Sequence, residues 1–167
     1  IFGDALAGGF VANTSKAISE NILFEYCASL KNVCASGIAG AFFGSGKGNI
    51  KMYGCVVGGF EPIEVSFFEN DKLAGGVIGY VEEGYGIDIA SCYFNIDLIA
   101  KDQAALVLGA AESVYASVKE LYVVGSVVAS TDNAYRLTAL SNENLTLDTV
   151  LLDVSLKIDL GGEIIEN

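Results

Sequence analysis

Three of the four cysteines, Cys27, Cys55 and Cys92, sit in the same local pattern of alternating apolar residues. A recurring thiol is the first place to look for chemistry. A nucleophilic cysteine needs its thiolate, supplied by a neighbouring imidazole, a cationic side chain or a helix N-terminus. The chain has no histidine, so the commonest general base, the usual zinc ligand and the partner of a Ser-His or Cys-His pair are all missing. Two readings of the three cysteines stay open: unpaired interior thiols stacked as a structural column, or disulfides between neighbouring windings. Cys34 lies outside that pattern, where a bridge to Cys27 is conceivable. No C-x-x-C spacing offers a metal site, and no cofactor is expected.

Carboxylates are the other route to an enzyme. Glu82-Glu83, Asp88 with Asp97, and Glu112 are candidates by type for a pair working on a polysaccharide, as glycoside cleavage requires two carboxyls across one bond. A lyase would add a basic residue, and Arg136 is the only arginine. Tyrosines offer binding in place of catalysis. Tyr26, Tyr53 and Tyr93 neighbour the cysteine position, so an outward ladder of rings, a possible face for a sugar or a protein, is expected there. "GAFFGSGKGNI" is no phosphate loop: the first Gly of G-x-x-x-x-G-K-[ST] is absent, and Gly48 stands where the hydroxyl belongs. Asn13 and Asn144 begin formal glycosylation sequons.

What must position these residues is a set of strands. In "GIDIASCYFNIDLI" (86 to 99), Ile87, Ile89, Cys92, Phe94, Ile96 and Leu98 form one apolar face, while Asp88, Asn95 and Asp97 point away. The same frame, apolar-x-apolar-x-x-apolar-x-apolar, recurs at Ile22, Ile50, Ala116 and Leu145. The five starts are 28, 37, 29 and 29 residues apart. Upstream of each copy lies a smaller signature: "GGFVA" (8 to 12), "GAFFG" (40 to 44), "GGVIG" (75 to 79), "ALVLG" (105 to 109) and "YRLTA" (135 to 139). Glycine at 44, 79 and 109 points to a positive-φ corner or a close backbone approach, and Ala12 and Ala139 favour the second. The two-residue interruption, at Ala90-Ser91 and Tyr53-Gly54, predicts a bend, because an extra residue would otherwise turn the strand inside out.

A period near 29 residues without helical periodicity or a leucine-rich-repeat frame leaves three short strands and their corners. The expected fold is therefore all-β: one right-handed parallel β-solenoid of about five coils spanning 1–167. The 37-residue interval predicts an insertion near 60–71, with Pro62 at its edge.

The glycine signature, a polar loop and then Ile-x-x-Cys-Tyr or a variant resembles the GLUG-type repeats of bacterial surface proteins, such as regions of streptococcal IgA-cleaving metallopeptidases. "AGGVIGYVEEGYGIDIASCYFN" (74 to 95) is the best copy and "AGAFFGSGKGNIKMYGCVV" (39 to 57) the second. The last two units carry Leu121 and Val150 in place of the cysteine, and the threonine-glycine frequent after Cys-Tyr is missing. The resemblance implies a parallel β-helical stalk or adhesive region at the cell surface and no catalysis.

Composition bounds the partners. The chain is 52% hydrophobic, yet its net charge is −12, from 21 acidic and 9 basic residues. That balance argues against nucleic acid and against an anionic membrane surface. Apolar residues are spread by alternation, with no run long enough to span a bilayer as a helix. The chain opens on "IFGDALAGGF", with neither an initiating Met nor a basic leader, and reads as a processed or excised piece. Expected partners are flanking coils of a parent chain or a host or cell-surface protein or glycan. The apolar C-terminal stretch "VLLDVSLKIDLGGEIIEN" invites end-to-end stacking.

Overall fold

In a computed structural model, the alternating stretches become strands stacked in register, each winding above the last. The structure describes residues 2–3, 6–14, 21–35, 37–67, 73–82, 84–100, 103–111, 114–129, 134–138, 144–159 and 164–166. Ile22 pairs with Ile50, Ile50 with Ile87, Ile87 with Ala116 and Ala116 with Leu145, all in parallel. Two residues further on, Phe24, Met52, Ile89, Val118 and Leu147 form the next column. This is a parallel β-solenoid of about four turns, bounded by the five copies of the frame.

Three sheets make the wall. Among the described residues the first has eleven strands, the second five and the third four. The second holds Leu6–Gly8, Ile38–Gly40, Leu73–Gly75, Gln103–Ala105 and Ala134–Tyr135. The third holds Val11–Asn13, Phe43–Gly46, Ile78–Val81 and Leu108–Ala111. The glycine signatures are the corners between those two sheets. Phe42, Val77, Val107 and Leu137 stack inside the corner, linked by Phe42 N–H to Val77 O at 3.0 Å and Val107 N–H to Leu137 O at 2.8 Å. The first sheet then turns through three short segments per winding, clearest in Gly86–Ala100 and Tyr115–Ala129.

Burial explains why register wins over local preference. Ile50, Met52, Ile89, Phe94, Ile96 and Leu98 are fully inside. Each such side chain contributes roughly 1.5–3 kcal/mol relative to staying exposed. A one-residue slip would turn a whole row of them outward.

The predicted bend is a left-handed residue in every winding. Tyr26, Gly54, Ser91, Glu120 and Thr149 have φ of 50°, 60°, 54°, 49° and 55° and occupy one column, just before the cysteine position. Only one of the five is glycine. Ser91 is held there by its hydroxyl, which donates to the Glu120 carboxylate of the next winding at 2.5 Å. Thr149, being β-branched, is the most strained at this conformation. Thr149→Gly is therefore expected to stabilise the fold by about 1 kcal/mol, relief of left-handed strain outweighing glycine's entropy. A thermal melt by circular dichroism reads this as a raised midpoint; a lowered one would show the threonine to be unstrained.

At the corners, close approach is what the glycines serve. Gly44 and Gly79 do not have positive φ. A Cβ on Gly79 would lie 2.3 Å from the Gly44 carbonyl oxygen of the preceding winding, and one on Gly40 would lie 2.2 Å from that of Phe43.

The long interval is not one insertion near 60–71, because Ile63–Phe67 is a regular strand of the first sheet, paired with Gly86–Ala100 and Val33–Ala35. Its eight extra residues are split by the register. Four fall between Val57 and Ile63, three between Phe67 and Leu73, and one between Val81 and Gly86. Phe60 is fully exposed on the first excursion, and Pro62 stands just before the strand, where its missing N–H breaks no ladder.

Among the described residues, no further parallel winding lies over the last one. Leu147 is 49% exposed and Leu152 42%, although their column neighbours Val118 and Val123 are buried. The strand Leu145–Asp159 pairs with Tyr115–Ala129 on one edge. On the other, among the described residues, Ile164–Glu166 folds back antiparallel over Lys157, Ile158 and Asp159.

Candidate functional site

Gly86 opens a groove on the outer face of the first sheet. In its column, one residue per winding, stand Asn21, Asn49, Gly86, Tyr115 and Asn144. Beside it runs a second outward column, Lys51, Asp88, Ser117 and Thr146. Together they line a cavity of about 380 Å³. It lies across the strands, parallel to the solenoid axis. Gly86 has no positive φ, and a Cβ added there would find nothing nearer than 3.6 Å, so neither backbone strain nor crowding calls for glycine at this position.

Side chains in the groove are held from below and beside. Asn49 donates from Nδ2 to Asn21 Oδ1 at 3.3 Å and accepts the Gly86 N–H on Oδ1 at 2.8 Å. Its amide is thereby oriented by two windings at once. The Tyr53 hydroxyl donates to Asp88 Oδ2 at 2.7 Å, which raises the Tyr53 pKa above its ordinary value, the hydrogen-bonded carboxylate being the main cause. Tyr115 is 72% exposed at the rim. Lys51 and Asp88 are register partners, one cation beside one anion.

The expected tyrosine ladder does not form. Tyr26 is at the bend, facing Gly54; Tyr53 precedes the bend and bonds Asp88; Tyr93 follows it and packs on Tyr122 with ring centres 5.7 Å apart. The three were close in sequence to a common cysteine but at offsets of one before, two before and one after, hence in three different columns.

The carboxylate candidates are likewise kept apart. Asp88 and Asp97 lie nine positions apart on Gly86–Ala100, on either side of the bend at Ser91. Asp97 accepts a 2.6 Å hydrogen bond from Ser126. Glu82 pairs with Lys47 at 3.7 Å. Glu83 and Glu112 lie outside the described residues. Asn95 does not face solvent as its alternation implied. It is buried beneath the excursion after Val57, donating to the Gly59 carbonyl at 3.0 Å.

Cys27, Cys55 and Cys92 share one column, continued by Leu121 and Val150. Val56 N–H bonds Cys27 O at 2.9 Å and Tyr93 N–H bonds Cys55 O at 3.0 Å, which sets the register. The Cys55 N–H points at Cys92 Sγ, 3.4 Å away. All four cysteines are free thiols in this structure, and Cys34 accepts from Ser66 Oγ at 3.3 Å. Burial pushes the Cys92 thiol up to about 11 and raises Cys55 as well. Such thiols are poor nucleophiles.

Among the described residues, no group of three His, Cys, Asp or Glu side chains could hold a metal ion, and no helix is long and apolar enough to cross a membrane.

Fold and groove together define a parallel β-solenoid with a cleft of mixed polar and apolar lining running along one sheet. No family model, no curated protein and no solved structure matches the chain.

Proposed function

We propose that the chain is a structural segment, a rigid β-solenoid spacer that makes contact with partners through its exposed end. The carrying observation is the last winding. Its inward leucines, Leu147 and Leu152, are half-exposed above an edge whose backbone, among the described residues, is paired at its last three residues. Another coil, laid on in parallel, would cover those side chains and satisfy those N–H and C=O groups. An extracellular or cell-surface location belongs to the same reading, supported by the GLUG resemblance.

Analytical ultracentrifugation across a wide concentration range tests the contact. The wild-type chain should form concentration-dependent linear oligomers, and Leu147→Lys with Leu152→Lys should stay monomeric with an unchanged circular dichroism spectrum. A wild-type chain that remains monomeric throughout would remove the open end as an interaction surface.

A further inference from the structure

We infer that the groove over Gly86 binds a neutral, polyhydroxylated chain, an oligosaccharide laid along the solenoid axis. The argument starts from direction. Neighbouring windings are roughly 4.8 Å apart, so a linear ligand running across the strands meets one outward side chain per winding in each column. In this groove the uncharged polar ones are amides and hydroxyls, Asn49, Asn144, Ser117 and Thr146, with Tyr115 at the rim and apolar surface between them. Amides and hydroxyls both donate and accept, which suits hydroxyl groups of either hydrogen-bonding sense. An exposed tyrosine ring offers a negative π face to the polarised C–H bonds of a sugar ring.

Charge narrows the class. The lining carries one ammonium, Lys51, beside one carboxylate, Asp88, and the chain as a whole is at −12. A uronate or phosphate polymer would meet no net attraction there. An extended peptide would need a free sheet edge for backbone pairing. The strands Asn49–Tyr53, Gly86–Ala100 and Tyr115–Ala129 along the middle of the groove are paired on both sides, and Leu145–Asp159, which carries Thr146, is paired with Tyr115–Ala129 on its groove side. What is left for recognition is side chains, at spacings that repeat.

Gly86 supplies the test, because a Cβ added there meets nothing nearer than 3.6 Å. Titrations of isotope-labelled chain, followed by NMR, would use cellohexaose, β-1,4-mannohexaose and β-1,4-xylohexaose. Hexagalacturonate and an extended polar hexapeptide serve as the charged and peptide arms. At least one neutral hexasaccharide is expected to shift the side-chain amide signals of Asn49 and Asn144. Gly86→Leu, which fills the floor, and Tyr115→Ala, which removes the rim ring, should each weaken that binding at least about tenfold, with melting midpoints unchanged. Failure of all three neutral sugars to bind overturns the inference. So does tighter binding of hexagalacturonate or of the peptide, or binding that survives Gly86→Leu. Asn49, Gly86 and Tyr115 lie on inner windings, so loss of sugar binding through Gly86→Leu or Tyr115→Ala reads the groove, and the association experiment above reads the open end.

Discussion

Replacing Gly125 with alanine is expected to destabilise the C-terminal windings by at least about 3 kcal/mol, the combined cost of strained backbone and broken ladder hydrogen bonds. Gly125 sits inside the strand Tyr115–Ala129, paired with Ile96 below and Val154 above. Its φ of +132° is a conformation in which a side chain is strained wherever it points. The added Cβ would also lie 1.9 Å from the Ile96 carbonyl oxygen and 2.7 Å from its carbon. Those are backbone atoms of a strand held on both edges, so they have little freedom to move aside. In a solenoid, stability is approximately a sum over windings and the interfaces between them. The damage should therefore be directional. Hydrogen exchange is expected to show 115–129 and 145–156 losing protection, while 49–53 and 63–67 retain theirs. Uniform loss over the whole chain would mean that the windings unfold as one unit. A melt unchanged from wild type would mean that the two strands can separate at Gly125 without cost.

That contrast between positions shows what the sequence made legible. Alternation and spacing were enough to place Ile22, Ile50, Ile87, Ala116 and Leu145 in one column, because in a stacked coil equal offsets mean equal positions. The bend followed from the same logic, since two non-apolar positions in an otherwise alternating strand can keep both halves facing inward only by turning. One burial was hidden. Asn95 occupies an alternating polar position, yet the excursion at 58–62 covers it. The eight extra residues of the long winding were hidden for a related reason. Ile63–Phe67 alternates like any strand, but it was assigned to the insertion because the interval's length was counted as one block. The groove was missed, although its column lies one residue ahead of the apolar column that the spacing placed. It depends on Gly86 standing in register between Asn49 and Tyr115, three residue types with nothing in common until their windings are superposed. Gly125 had a signal, a glycine in the interior of an apolar strand, which commonly marks close backbone approach.

Cys92 should behave as an inert interior group, with a measurable cost at alkaline pH. Its sulfur lies 3.2 Å from the Ala90 carbonyl oxygen, to which the thiol can donate, and it accepts the Cys55 N–H at 3.4 Å. With the thiol pushed up from 9.0 to about 11, mainly by loss of solvent, the folded state holds its proton two pH units longer than the unfolded chain. The thiolate fraction near neutrality is then about a hundredfold lower than in the unfolded chain. Iodoacetamide is expected to label Cys92 at least that much more slowly in native protein than in urea, read by mass spectrometry of the peptide. The sign of the stability effect follows from which state binds more protons. Between pH 9 and 11 the unfolded chain has released this proton and the folded one has not, so unfolding gains and stability falls as pH rises. Below pH 9 both states are protonated and the contribution is fully present. Leu121 and Val150 fill the same column in the next two windings, which makes Cys92→Val the fitting control. Urea midpoints measured from pH 7 to 11 should fall more steeply for wild type than for Cys92→Val. Parallel curves, or rapid native labelling, would show that solvent reaches the column and that its thiols are not part of the closed core.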